Sequence, residues 1–523
     1  LPWVLKYSLA LHKCFTLSKP WILARIGTCL KNNPATTDSK SYINHMHLGK
    51  KTKIVATIGP ATSSQEMLEK LLKAGLNVVR LNFSHGDFAE HQEKVDNAKA
   101  ASKKTGIPVA ILQDLSGPKI RTGTFQNDPA VRINLKAGQK FTFSTNEKTV
   151  GDETKAYINY PKLPAEIKKG EAVLVDDGKV RMVCTDIKGD EVICKVINGG
   201  ELKGRRGVNL PDSDLSISAL TPKDKKDIEF GEKNNVDYVA FSFVRKASEA
   251  AELRKILNKR GMEHTKIIAK IETPQALENF DEILEIVDGA MVARGDLAVE
   301  IPAEKVPLAQ KMIIEKCNAA GKPVITATQM LESMIKNPVP TRAEVSDVAN
   351  AMLDGTDAVM LSEETTLGSY PVQAVEMMAK IAGEVENDVR HSILLAHPER
   401  LESDTLSKAI GGAAAHTAEQ ISAKYIVALT EFGNAAALAS RQRVSVPVIA
   451  ITPDQKTHNQ MCLYYGVYPM LIKSHVGFRE AHEDAKKLLI AEKLVKKGDK
   501  LVFISGTPFK EADETNMVTV DQI

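Results

Sequence analysis

The chain carries only six cysteines in 523 residues, Cys14, Cys29, Cys184, Cys194, Cys317 and Cys462, and no C-x-x-C pair. Such scattered spacing excludes a disulfide framework or a cysteine-based zinc site and fits a reducing compartment. No run of about 18 apolar residues occurs, so no membrane span is expected. Excess charge of one sign is also lacking. Lys and Arg number 69 against 66 Asp and Glu, a formal net charge of +3, which gives no global reason to bind nucleic acid. Neither G-x-x-x-x-G-K-S/T nor G-x-G-x-x-G is present, so a nucleotide would have to be held some other way. Acidic residues are missing from residues 1–37, where Lys6, Lys13, Lys19, Arg25 and Lys31 are basic. Residues 1–47 are therefore expected to be an N-terminal extension outside the fold, disordered or non-native, in a cytoplasmic protein. An organellar transit peptide is the alternative.

What is present after Lys50 is a rhythm. Short apolar runs alternate with amphipathic stretches: 52–58 (TKIVATI), 78–83 (VVRLNF), 108–115 (PVAILQDL), 238–243 (YVAFSF), 266–272 (KIIAKIE), 289–294 (GAMVAR), 323–330 (PVITATQM) and 358–364 (AVMLSEE). The linkers have helical patterns, such as TRAEVSDVANAMLDG, where Thr341 precedes Glu344 at capping-box spacing. Strands with helical crossovers at this spacing predict a parallel (β/α)8 barrel of the TIM type. Residues 120–218 break the rhythm with strand-like pieces and Gly/Pro turns, which predicts an inserted, barrel-like all-β lid. The barrel then comprises 48–119 and 219–389. A new alternation over 390–523 predicts a separate C-terminal α/β domain.

Each barrel run turns polar near its C-terminal end, where βα loops converge and barrel sites form. These ends supply Arg80, Asn82, Ser84, Asp114, Ser242, Lys270, Glu272, Arg294, Asp296, Thr328, Ser362 and Glu364. Any one of them alone reads as a capped turn or a solvated strand end. Together they point to a site. Alternation puts Lys270 and Glu272 on one strand face, either as a buried ion pair or as a metal-binding carboxylate beside an anion-binding ammonium. Asp296, at the next strand end, is a helix N-cap or a second carboxylate near Glu272. Two carboxylates without histidine or cysteine suit Mg2+ or Mn2+. Gly295 and the peptide N–H groups beside Asp296 could cradle a carboxylate. A divalent metal, a lysine and an arginine without a histidine base are the equipment of phosphoryl transfer.

At this point TKIVATIGPAT, RLNFSHG, GPKIRTG, GVNLP, IIAKIETPQ, MVARGDLAVEIP, ATQMLESM, TRAEVSDVANA and LSEETTLGSYP together resemble the pyruvate kinases, over residues 50–523. The resemblance implies a barrel, a β lid and a C-terminal α/β domain, a homotetramer, and conversion of phosphoenolpyruvate and ADP to pyruvate and ATP. It implies Glu272 and Asp296 as Mg2+ ligands, with Lys270 and Arg80 neutralising the phosphoryl group. Gly295, Asp296, Thr328 and Ser242 would surround the substrate, and Thr328 or Ser362 with water would deliver a proton. Arg121, Pro60, His85, Asp177 and Arg206 would surround the nucleotide.

The departures from that family matter as much. Many members read D-T-K-G-P-E-I-R where this chain reads Asp114-Leu115-Ser116-Gly117-Pro118-Lys119-Ile120-Arg121, and the acidic residue goes with a K+ requirement. Asn82, Ser84 and Asp114 retain cation-ligand positions, and Leu115 offers only its carbonyl. Lys119 places a tethered ammonium where relatives carry a negative charge, so activity without K+ is expected. The loop Thr430-Glu431-Phe432-Gly433-Asn434-Ala435 lacks the hydroxyl-rich phosphate site of members activated by fructose bisphosphate, so no such activation is expected. Ala298 and Glu363 stand where many relatives have glycine. Two other functions share part of this pattern: a barrel lyase or aldolase acting on pyruvate or phosphoenolpyruvate, and a catalytically dead effector-binding protein.

Overall fold

The computed structural model describes residues 49–388, 404–475, 477–507 and 514–523. The expected extension at 1–47 and the expected 389/390 boundary lie outside the described residues. Eight parallel strands close a barrel in chain order: β1 (Lys53–Thr57), β2 (Val78–Asn82), β3 (Ala110–Asp114), β4 (Tyr238–Phe241), β5 (Lys266–Ile271), β6 (Gly289–Ala293), β7 (Val324–Ala327) and β8 (Ala358–Leu361). Every expected strand is present; β2 and β3 end on the polar Asn82 and Asp114, whereas β7 and β8 stop short of Thr328 and Ser362. β7 stops where Thr328 (φ 70°) and Gln329 (φ 53°) turn into the left-handed region. β8 stops where Glu363–Thr366 begin a helical turn. The capping box forms as expected, with Thr341 and Glu344 exchanging side-chain and backbone hydrogen bonds at the start of helix Arg342–Asp354.

Side-chain alternation divides each strand between two cores. On β5, Ile267, Ala269 and Ile271 pack against the surrounding helices. Ile268 instead joins Val55, Val78, Leu112, Ala240, Met291, Ile325 and Met360 inside the barrel. Each such buried aliphatic side chain stabilises the fold by roughly 1.5–3 kcal/mol. Continuing the alternation aims Lys270 and Glu272 inward, above that apolar floor. Leu112 is followed in the same way by Asp114, and Val78 by Arg80. From the C-terminal domain Cys462 and Leu463 plug the lower mouth, and the Tyr238 hydroxyl donates to Gln460 O at 2.5 Å. The polar layer therefore opens only at the C-terminal end.

The lid between β3 and β4 is built on a six-stranded sheet in the order Val208–Asn209, Ala172–Val175, Val180–Lys188, Glu191–Asn198, Lys140–Ser144, Lys155–Tyr157. Single bridges through Thr122 to Ile158 and through Arg121 to Gly207 join its two edges, so it curls barrel-like around Phe125, Phe141, Phe143 and Val196. A second, two-stranded sheet pairs Arg132–Leu135 with Gly200–Lys203, and Leu163–Glu166 form one helical turn. At the lid entrance Gly117 (φ 65°) packs so closely that a Cβ would lie 2.7 Å from the Phe243 ring. The C-terminal domain has a five-stranded sheet whose last strand, Met517–Gln522, runs antiparallel to its neighbour Lys500–Ser505. Among the described residues no helix is long and apolar enough to cross a membrane.

Candidate active site

The inward polar layer is one connected network. The Lys270 ammonium donates to Ser242 Oγ at 2.7 Å and lies 2.9 Å from Glu272 and 3.4 Å from Asp114. Arg80 Nε donates to Asp114 Oδ2 at 2.7 Å, and its Nη1 donates to Thr57 Oγ1 at 2.7 Å. Thr57 in turn donates to Leu361 O, and Ser242 to Leu115 O. Isolated charges at this depth would be prohibitive, and mutual pairing is what makes them tolerable. Burial opposes the charge on Lys270, but Asp114, Glu272 and Asp296 outweigh it and hold its pKa above the ordinary lysine value. Burial likewise opposes the charge on Asp114, yet Lys270 and Arg80 keep that carboxyl below its usual range.

Glu272 is fully buried. Its Oε2 accepts from Phe243 N at 2.7 Å, a peptide aimed by the left-handed backbone of Phe243 (φ 55°). Its Oε1 lies 2.9 Å from the Lys270 ammonium, with no further donor beside it. Burial, with Asp296 adding to it against Lys270, pushes the Glu272 carboxyl up to about 7. A buried carboxylate paired with one ammonium and near a second carboxylate, Asp296, fits a hard divalent cation that completes its shell with water or substrate. Among the described residues no three His, Cys, Asp or Glu side chains converge as a full protein cage.

Beyond Asp296, helix Arg294–Glu300 starts directly at the end of β6. Gly295 N donates to Thr328 Oγ1 at 2.7 Å. Thr328 is β-branched and held in the left-handed region, a strained state that persists only when its surroundings impose it. The clamp is Arg294: its Nη2 donates to Thr328 O at 2.7 Å, its Nε to Ala327 O at 3.2 Å, and its Nη1 to Asp347 Oδ1 at 2.8 Å. Thr57 and Asp347 were not among the sequence candidates. Thr57 was legible as an inward position at the end of β1; Asp347, on an ordinary helix, carried no signal. Ser362 is half-buried, and its backbone N donates to Glu364 Oε2.

Lid and barrel face each other across a cleft lined by Lys119, Asp177, Asn209, Phe243, Asp296 and Glu300. Asn209 Nδ2 donates across it to Glu300 Oε1 at 2.6 Å. Burial, with Asp296 and Asp212 nearby, pushes the Glu300 carboxyl up to about 7 against the Asn209 bond. Glu300 was not foreseen either. Pro60 and His85 are exposed on the barrel rim. Burial and then Lys119, Arg121 and Arg80 pull the His85 pKa down, which shows these cations gathered around it. Arg121 Nη1 donates to Arg205 O, and Arg206 pairs with Asp176 at 3.3 Å. At the monovalent-cation positions Asn82 Oδ1 accepts from Ser84 N, and Asp114 is already paired with Arg80 and Lys270. The exposed Lys119 ammonium lies 6.0 Å over the Phe243 ring. Lys223 donates to Phe83 O, between Asn82 and Ser84, at 2.7 Å.

Comparison with known proteins gives consistent matches. Residues 49–375 match the family model of the pyruvate kinase barrel domain, and residues 408–520 that of the pyruvate kinase alpha/beta domain. The chain is 44% identical over 473 residues to a pyruvate kinase of Clostridium acetobutylicum, spanning 90% of this chain and 99% of that protein. A pyruvate kinase of Geobacillus stearothermophilus is 45% identical over 477 residues, 91% of this chain and 80% of that one. The crystal structure of a pyruvate kinase from Cryptosporidium parvum superposes with a TM-score of 0.85 at 35% identity, covering 93% of this chain and all of that one.

Proposed function

The chain belongs to the pyruvate kinase family of phosphotransferases, and from that premise we propose that it is a Mg2+-dependent, K+-independent enzyme that moves the phosphoryl group of phosphoenolpyruvate to ADP. The phosphorus–oxygen bond to the enol oxygen breaks, one to the terminal phosphate of ADP forms, and the enolate of pyruvate takes up a proton at carbon. The observation that carries this reading is the Lys270 ammonium held among Glu272, Asp114 and Asp296 at the open end of a plugged barrel.

Glu272 and Asp296 hold the metal, whose charge neutralises phosphoryl and substrate oxygens when it is bound. Lys270 and Arg80 offset the charge on the phosphoryl group in transit without giving up their protons. Gly295, Asp296, Thr328 and Ser242 orient the substrate; Thr328 and Ser362, with water, carry the proton. Arg121, Pro60, His85, Asp177 and Arg206 surround the nucleotide, and closure of the lid excludes water from the transfer.

Independence of K+ rests on two observations. Asp114 is already neutralised by Arg80 and Lys270, and Lys119 adds fixed positive charge that His85 senses at the same rim. Insensitivity to fructose bisphosphate rests on Glu431 in the loop after Tyr425–Leu429, where an acidic side chain repels phosphate. A homotetramer would cover apolar surface such as Leu308 (71% exposed) and Val339 (63% exposed). The test is pyruvate release from phosphoenolpyruvate coupled to lactate dehydrogenase. Release that requires both ADP and Mg2+ supports the reading; release without ADP favours a lyase or phosphatase, and no release favours an effector-binding protein.

A further inference from the structure

The lid holds two thiols that the proposed reaction does not use. Cys184 lies on strand Val180–Lys188 and Cys194 on Glu191–Asn198, which form one antiparallel hairpin turning at Gly189-Asp190. In its register Cys184 pairs directly with Cys194. The hydrogen bonds of Cys184 show which kind of pair this is. Its N–H donates to Glu171 O at 2.9 Å and its carbonyl accepts from Gly170 N at 2.8 Å. Both backbone groups therefore point away from Cys194. The two residues form a non-hydrogen-bonded cross-strand pair, the closer of the two antiparallel arrangements, with Cα atoms about 4.5 Å apart. That separation lies within the range a disulfide spans, about 4.4–6.8 Å. Both side chains are buried in the same lid core, and both are free thiols here. Directly after Cys184 the register shifts, with Asp186 rather than Thr185 opposite Ile193. A bulge of this kind adds local twist and slack that a shortened sulfur–sulfur contact can draw on.

We propose that Cys184 and Cys194 are a dithiol/disulfide couple, an oxidation site within the lid that hydrogen peroxide converts to a cross-strand staple. The step balances with peroxide as oxidant. The thiolate of one cysteine attacks a peroxide oxygen, the O–O bond breaks with release of water, and a sulfenic acid forms. The second thiol displaces its oxygen as another water, closing the S–S bond. Two thiols lose two electrons and two protons, and one peroxide is reduced to two waters. Burial raises both thiols. The same burial makes the reaction slow at neutral pH and faster in alkali or when the hairpin opens locally. Among the described residues the other cysteines, Cys317 and Cys462, lie on a barrel helix and in the barrel plug, without a cysteine opposite them.

The experiment uses the full chain with hydrogen peroxide in mildly alkaline buffer, quenched with iodoacetamide and digested with trypsin without reductant. Trypsin separates the two cysteines onto residues 182–188 and 189–195. The expected result is these two peptides joined, lighter than their sum by two hydrogen atoms and separated by dithiothreitol. Amide exchange in the hairpin should also slow in the oxidised protein, because the staple restricts its opening. Recovery of both peptides singly, whether alkylated or carrying sulfinic acid, overturns the proposal, as does a link from either cysteine to a different one.

Discussion

Replacing Lys270 with methionine keeps the volume of the side chain and removes one buried charge. At 2.9 Å from Glu272 and 3.4 Å from Asp114, each contact is on the order of 5 kcal/mol of raw attraction at an effective dielectric of about 20. Desolvation cancels much of this, and breaking a buried pair from one side costs about 3–5 kcal/mol. The two partners respond differently. Asp114 retains Arg80 at 2.7 Å and stays ionised. Glu272 retains only the Phe243 N–H, so its carboxyl, already at about 7, moves higher and takes up a proton at neutral pH. Lys270→Met should therefore stay folded with a lowered melting temperature, bind Mg2+ more weakly at neutral pH than in alkali, and lose kcat by about 10^3–10^5-fold, as other phosphoryl-transfer cations do on removal. Pyruvate release measured at saturating substrate and Mg2+ in mildly alkaline buffer isolates the chemical loss from the metal loss. A kcat within about tenfold of the parent under those conditions would refute the role given to this ammonium.

Further expectations concern the carboxylates, the clamp and the monovalent cation. Because Glu272 must ionise to hold a cation, the Mg2+ concentration for half-maximal activity should rise as pH falls through about 7; a flat titration would contradict this. Glu300 is also raised to about 7, so the folded chain retains a proton that the unfolded chain has released, and stability falls as pH rises from about 4.5 through about 7. Glu300→Gln should then melt higher than the parent above that window, by on the order of 1–3 kcal/mol, and match it at acid pH. Arg294→Lys loses the planar fork that grips Ala327 O, Thr328 O and Asp347. Its kcat should drop by about 10^2-fold, with a raised KM for phosphoenolpyruvate and an unchanged KM for ADP; equal changes in both KM values would indicate general loosening. In K+-free buffer the parent should keep most of its rate while Lys119→Glu gains a K+ response, and loss of nearly all turnover without K+ would sink the substitution idea. Fructose bisphosphate should leave the phosphoenolpyruvate half-saturation point in place.

The barrel was legible because its strands are short, apolar and evenly spaced, and because period-two alternation carries from Ile268 through Lys270 to Glu272 without interruption. Arg80 and Asp114 were legible as polar residues at strand ends. What alternation could not show was pairing. That Asp114 is occupied by both Arg80 and Lys270 is a tertiary pairing, and that Lys119 lies over the Phe243 ring goes with a tertiary close approach at Gly117. Thr328 was legible as a polar strand end, but its left-handed backbone and the Arg294 clamp were not, since the clamp closes on Asp347 from a helix with an ordinary amphipathic pattern. Glu300 went unseen for the same reason: its partner, Asn209, comes from the lid, 91 positions away.

Phosphorus NMR of a mixture of phosphoenolpyruvate, ADP, Mg2+ and the protein follows the transferred atom itself. If Lys270, Glu272 and Asp296 serve phosphoryl transfer, the phosphoenolpyruvate signal decays as the terminal phosphate signal of ATP grows, with no K+ needed and no build-up of inorganic phosphate. Decay into inorganic phosphate, or persistence of phosphoenolpyruvate with ADP and Mg2+ present, would contradict that function.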